Sequence, residues 1–153
     1  MSPDLILYTK RIQDQGLTLE ADLDPALLGL PSNDIVFVGT VFVRMRAQIV
    51  TKEILVQGTM DVSIQSDCAR CLSKTTQELH LSELVFLYEY TGQDFIDLSP
   101  EVREELLLAL PMRLLCSEDC KGLCPHCQKN WNKVACSCVQ KNEKSHPFEK
   151  LKF

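Results

Sequence analysis

Six of the chain's eight cysteines fall between Cys116 and Cys138, in the stretch CSEDCKGLCPHCQKNWNKVACSC. Cys124 and Cys127 form a Cys-x2-Cys pair, and Cys136 and Cys138 close a second pair after eight intervening residues. A thiolate pair this close can grip one metal ion from a tight turn, and a second pair completes a tetrahedral site. Asn130 and Asn132 suit a reversing loop between the pairs. Cys120 or Cys116 beside Cys124 and Cys127 is an alternative ligand set, and eight thiols suffice for two four-thiolate sites. The spacing implies structural Zn²⁺ held among Cys116, Cys120, Cys124, Cys127, Cys136 and Cys138. Unligated reduced thiols are a poor alternative. These cysteines occupy a turn-rich, hydrophilic segment, whereas buried structural cysteines lie among apolar neighbours.

Other chemistries compete for the same residues. Cys120, Cys124 and Cys127 match Cys-x3-Cys-x2-Cys, the spacing that holds a four-iron cluster in radical enzymes. Such enzymes need a barrel of alternating strands and helices, which this chain does not encode. A redox dithiol at Cys124 and Cys127 lacks the βαβ surroundings of its class. Cys68 and Cys71 form a further thiol pair, either half of a second metal site or a brace for a tight turn. Arg70 between them would sit at a hairpin tip, available to a phosphate or carboxylate. His80, His126 and His146 are far apart, and only His126 lies near the cluster. Trp131 could stack on a base but is better placed to pack over the metal loop. No Gly-rich phosphate loop and no Gly-x-Ser-x-Gly elbow occurs. Asp94 and Asp97 read as turn residues rather than an acid–base pair.

The elements that must carry these thiols are mostly strands. Val41, Val43, Met45, Ala47 and Ile49 alternate with Phe42, Arg44, Arg46 and Gln48. Val56, Gly58, Met60, Val62 and Ile64 alternate with polar residues in the same way. Thr51, Lys52 and Glu53 turn the first strand onto the second, giving a long antiparallel hairpin with one dry and one wet face. From Thr75 to Tyr90 the apolar parity switches around Glu83, which predicts a bulge or burial on both faces. Residues 17–21 could add a short strand. The period then changes. Ser99 reads as an N-cap with Pro100 at the first helical position. Glu101, Glu104 and Glu105 favour the helix N-terminus, Val102, Leu106, Ala109 and Leu110 form one stripe, and Pro111 halts it.

The expected fold is α+β, mainly β: an antiparallel meander with one short helix and a C-terminal cysteine-rich zinc-binding module. The expected divisions are a β-rich body over 1–115 with its helix near 99–110, a metal module over 116–138 and a basic tail over 139–153. With 153 residues and 45% hydrophobic composition, the chain can bury one modest core plus a small appendage. The net charge of −5 is unevenly spread. Residues 1–115 carry nine basic and seventeen acidic side chains, whereas residues 116–153 carry seven lysines and four acids. No apolar run approaches the roughly 20 residues that cross a bilayer, and the N-terminus lacks a secretory or import layout. A cytoplasmic location is expected, where such thiols bind metal rather than form disulfides.

The order of these features resembles one family. The strand-flanked CARCL, the helix EVREELLLALPMRLLC, EDCKGLCPHCQKNWN with a terminal CSC, and the closing HPFEKLKF are together similar to the YceD family, from about Val36 to the end. Gln128 stands where that family commonly has glycine, and Trp131 where it has leucine. The resemblance implies a non-enzymatic role in the synthesis, processing or stability of 23S ribosomal RNA, and so in large-subunit assembly. It brings no catalytic residues. The implied partners are ribosomal RNA, a precursor large-subunit particle or a ribosomal protein, with no membrane and no small-molecule substrate. Arg70, Lys121, Lys129 and Lys133 are the candidate contacts. A metal-dependent enzyme built on Cys120, Cys124 and Cys127, or a zinc-stabilised protein adaptor, are the competing readings.

Overall fold

The computed structural model describes residues 5–30 and 34–138. Its frame is a four-stranded antiparallel meander: β2 (Leu17–Leu23), β3 (Val36–Val50), β4 (Glu53–Asp67) and β5 (Lys74–Glu89), in that spatial order. A short ribbon pairs β1 (Ile6–Tyr8) with β6 (Phe95–Asp97), and α1 spans Ser99–Ala109. The expected hairpin is β3–β4, with Val43 opposite Met60 and Ala47 opposite Val56. Thr51 makes its turn with a left-handed φ of 59°.

Alternation decides the faces. Val41, Val43, Met45 and Ala47 of β3 are buried together with Val56, Met60 and Val62 of β4, while Arg44 and Arg46 project into solvent. Ile49 continues the dry parity but lies at the strand end and is exposed. The switch of parity around Glu83 is a bulge. Gly58 faces Leu84 and Met60 faces Leu81, so Ser82 and Glu83 together oppose Thr59. The extra residue swings the second half of β5 around, and Leu84 and Phe86 become the buried side chains. Gly58 answers a separate demand. A Cβ there would lie 2.2 Å from the Arg44 carbonyl oxygen and 2.4 Å from Met45 Sδ, so only glycine lets β3 and β4 close at that point.

The dry face is covered by α1 and the β1–β6 ribbon. Leu7, Leu98, Val102 and Leu106 share one apolar cluster with the sheet residues. The helix starts one residue earlier than its sequence signals indicate. Leu98 is the capping position, with its carbonyl accepting from the Val102 N–H, and Asp97 Oδ1 accepts from the Ser99 N–H. Pro100 still falls in the first turn, where its missing donor costs nothing. Among the described residues no helix is long and apolar enough to cross a membrane. Residues 139–153, expected as a basic tail, lie outside the described residues.

Candidate metal centres

Cys68 and Cys71 occupy the turn between β4 and β5. The Cys68 N–H donates to the Ser73 carbonyl, the Leu72 N–H donates to the Cys68 carbonyl, and Leu72 adopts a left-handed φ of 56°. This tight reversal sets both thiols on one side of the sheet tip. The chain leaving α1 returns to that tip, where the Ala69 N–H donates to the Leu114 carbonyl at 2.9 Å. Cys116 and Cys120 follow at once. Cys120 Sγ lies 3.8 Å from Cys68 Sγ, and Cys116 Sγ lies 3.6 Å from Cys71 Sγ. All four sulfurs of this tip centre fall within 4.8 Å of one another.

The next residues build an outer centre. The Cys124 N–H donates to the Lys129 carbonyl and the Gln128 N–H to the Cys124 carbonyl, closing the loop that presents Cys124 and Cys127. Gln128 sits at φ 57°, in the left-handed region that favours glycine. Leu123 pairs with Asn130 in a short antiparallel bridge, and the Trp131 N–H reaches the Gly122 carbonyl. Cys136 and Cys138 then return to Cys124 and Cys127, again with all four sulfurs within 4.8 Å. Trp131 lies against this group, donating from Nε1 to Cys136 Sγ at 3.1 Å.

Both groups fit a single ion. Four sulfurs bonded at about 2.3 Å around a tetrahedral metal stand about 3.8 Å apart, which the tip-centre spacings match. A four-iron cluster spreads its thiolates over separate irons, and sulfurs this close leave no room for one. Cys120 belongs to the tip centre and is not brought together with Cys124 and Cys127, so the Cys-x3-Cys-x2-Cys spacing does not form a site. The alternative ligand set that adds Cys116 or Cys120 to Cys124 and Cys127 is likewise not assembled.

The thiols are tuned unevenly. Burial opposes ionisation of Cys68, but backbone N–H groups of Arg70, Cys116 and Cys71 bring its pKa down to about 6. Backbone N–H groups of Cys127 and His126 likewise bring Cys124 down to about 6, against the penalty of burial. Cys116 is pushed up to about 12 by its contacts with the Cys120 and Cys71 thiols. Cys138 is pushed up to about 12 by the Cys127 thiol and by burial. Cys71 is also lowered, chiefly by its hydrogen bond with the Ser73 hydroxyl, so each group contains at least one easily ionised and one reluctant sulfur. Four anions in so small a space repel one another, and a bound dication removes that repulsion.

Other sequence candidates take definite places. Arg70, expected at the tip and open to an anion, is exposed but spends Nη1 on the Glu118 and Cys120 carbonyls, both at 3.0 Å. It holds the returning chain against the turn. Gly122 lies over it, where a Cβ would come 3.1 Å from the Arg70 carbonyl oxygen. Lys121, Lys129 and Lys133 are exposed on the loops around the outer centre, as is His126. His80 instead contacts Asp61 on the wet face of the sheet. Asp94 pairs with Lys10 and Asp97 caps α1, so neither faces the other as an acid–base partner. What the sequence leaves open is the joining of Cys68 and Cys71 to Cys116 and Cys120, across 45 and 52 residues. The available signal is arithmetical: two groups of four thiols use all eight cysteines.

Fold and site together define a β-meander protein with two tetracysteine groups able to bind metal, one at the sheet tip and one beyond it. Residues 83–153, a little under half of the chain, match the family described as "Large ribosomal RNA subunit accumulation protein YceD". The chain is 29% identical over 117 residues to "Uncharacterized protein YlbN" of Bacillus subtilis (strain 168), covering 68% of each chain. It is 33% identical over 119 residues to "Uncharacterized protein Rv2926c" of Mycobacterium tuberculosis, covering 67% of this chain and 57% of that one. The match therefore spans little more than half of the mycobacterial relative. No solved structure matches.

Proposed function

We propose that this chain is a non-enzymatic factor acting on the RNA of the large ribosomal subunit, with Zn²⁺ in both tetracysteine centres. The observation that carries the reading is the pair of sulfur tetrads built largely from the same stretch that matches the YceD family. All-thiolate tetrahedral sets are soft and select zinc among common ions. Four protein ligands fill the coordination sphere, which suits a structural ion; catalytic zinc keeps a position open for substrate or water. On this reading 23S RNA in a precursor particle is the target, and the cytoplasm is the place of action.

Charge narrows how contact is made. Each four-thiolate zinc centre carries about two negative charges, so the module has no overall attraction for phosphate. Contact rests on single lysines that project from the loops, Lys121, Lys129 and Lys133, with the lysines of the C-terminal segment. The test is recovery of ribosomal RNA with the full chain from cell extract, read by sequencing and by cosedimentation with precursor particles. Binding should weaken steeply with salt and fall on charge reversal of Lys121, Lys129 and Lys133. Recovery of neither ribosomal RNA nor ribosomal protein at low salt would refute the proposal; partner proteins without RNA would favour the adaptor reading. A brown, iron-bearing protein from anaerobic purification would replace zinc with iron.

A further inference from the structure

Between the two sulfur groups runs one dipeptide that touches both. Trp131 donates from Nε1 to Cys136 Sγ of the outer centre, and Asn132 donates from Nδ2 to Cys120 Sγ of the tip centre at 3.2 Å. The Asn132 amide is held on the tip side by a second bond, Oδ1 accepting from the Lys121 N–H at 2.8 Å. Its backbone, however, belongs to the loop that the outer centre closes. The Asn132 N–H donates to Asn130 Oδ1, and the Asn130 carbonyl accepts from both Lys133 and Val134.

We propose that the two centres load metal cooperatively, with Asn132 as the residue that carries the coupling. This rests on the metal-binding reading above and extends it to regulation of the same sites. An N–H aimed at a ligand sulfur draws off part of the charge that four thiolates place around one dication. Such outer partners are worth about 10–100-fold in metal affinity. The Asn132 donor stays on Cys120 only while the 128–135 loop is closed, and an ion in the outer centre closes it. An empty outer centre therefore weakens the tip centre, and by linkage an empty tip centre weakens the outer one by the same factor.

Trp131 is the sole tryptophan and reports on the outer centre directly. The full chain is stripped of metal under reducing conditions and titrated with Zn²⁺ against a competing chelator, following Trp131 fluorescence. Disabling the tip centre with Cys116→Ser, and independently with Cys71→Ser, should weaken zinc uptake at Trp131 about tenfold. In an Asn132→Ala background the same substitutions should cause no further loss. Equal affinity with the tip centre intact or disabled overturns the proposal, as does a tenfold loss that persists without Asn132. If circular dichroism shows that the tip variants have lost their sheet, cobalt titration of the intact chain and of Asn132→Ala replaces them. Coupled centres fill together in the first and in separate steps in the second, whereas the same pattern in both overturns the idea. Elemental analysis of the unsubstituted chain stands apart: no bound metal there sinks the metal reading itself.

Discussion

Cys71→Ser should release the returning chain from the sheet tip while leaving the sheet folded. The tip centre joins positions 45 and 52 residues apart, and a cross-link closing a loop of about 50 residues restricts the unfolded chain by about 4 kcal/mol. The outer centre closes a loop of about 15 residues, worth about 3 kcal/mol on the same basis. Little apolar packing replaces the tip cross-link. Leu115 and Leu123 are the partly buried hydrophobics around its cysteines, whereas the sheet and α1 share a separate cluster that contains no cysteine. In urea, with zinc present, Trp131 fluorescence reports the module and far-ultraviolet circular dichroism reports the sheet. Because β5 and α1 lie inside the loop that the tip centre closes, the loss is shared. With a slope of about 2 kcal/mol/M, the dichroism midpoint should fall by up to about 2 M in Cys71→Ser, with the fluorescence midpoint falling at least as far. A zinc chelator should act on the unsubstituted chain in the same direction. No shift in either probe would refute the loop-closure reasoning and show that sulfur ligation does not hold the module.

Metal uptake should depend on pH with a defined sign. Cys116 and Cys138 are pushed up to about 12 and keep their protons at neutral pH, while Cys68 and Cys124 at about 6 are largely ionised. Loading therefore expels at least one proton per centre, so zinc affinity should rise at least about tenfold per pH unit per centre between about pH 6.5 and 8.5. A chelator competition that is flat across this range contradicts the assignment. Gln128→Gly should stabilise the outer loop by about 1 kcal/mol, because glycine adopts the left-handed backbone without a Cβ penalty; the check is zinc retention against a chelator. Gly58→Ala should destabilise the sheet by about 3 kcal/mol, since its new methyl meets backbone 2.2 Å away, measured as a lower dichroism midpoint in urea.

Much of the sheet was legible because a dry face imposes a two-residue period. The hairpin follows from parity and its turn from the polar residues at Thr51 to Glu53, while the parity switch at Glu83 left a bulge and two-sided burial as alternatives until the register decided for the bulge. The β1–β6 ribbon was not legible, since three residues are too few to show a period and its partners are far apart in sequence. The helix starts one residue early because the Leu98 carbonyl already accepts from the Val102 N–H, and Asp97 takes the Ser99 N–H. At the sulfur groups, spacing singled out the cysteines but not their partition into two tetrads. A ligand set drawn from a hairpin tip and a segment beyond the helix is decided by the path of the chain. Arg70 shows the same limit, because its carbonyl acceptors exist only once that path is closed.

A polypeptide is made from its amino end, and the tip centre draws its ligands from two widely separated stages of synthesis. Cys68 and Cys71 emerge first and wait, half a coordination sphere, until the chain has passed Cys120. A product that terminates within β5 or α1 can never complete that sphere. If the tetrad takes up an ion, that uptake records that translation has run past this point, before the protein takes up any work.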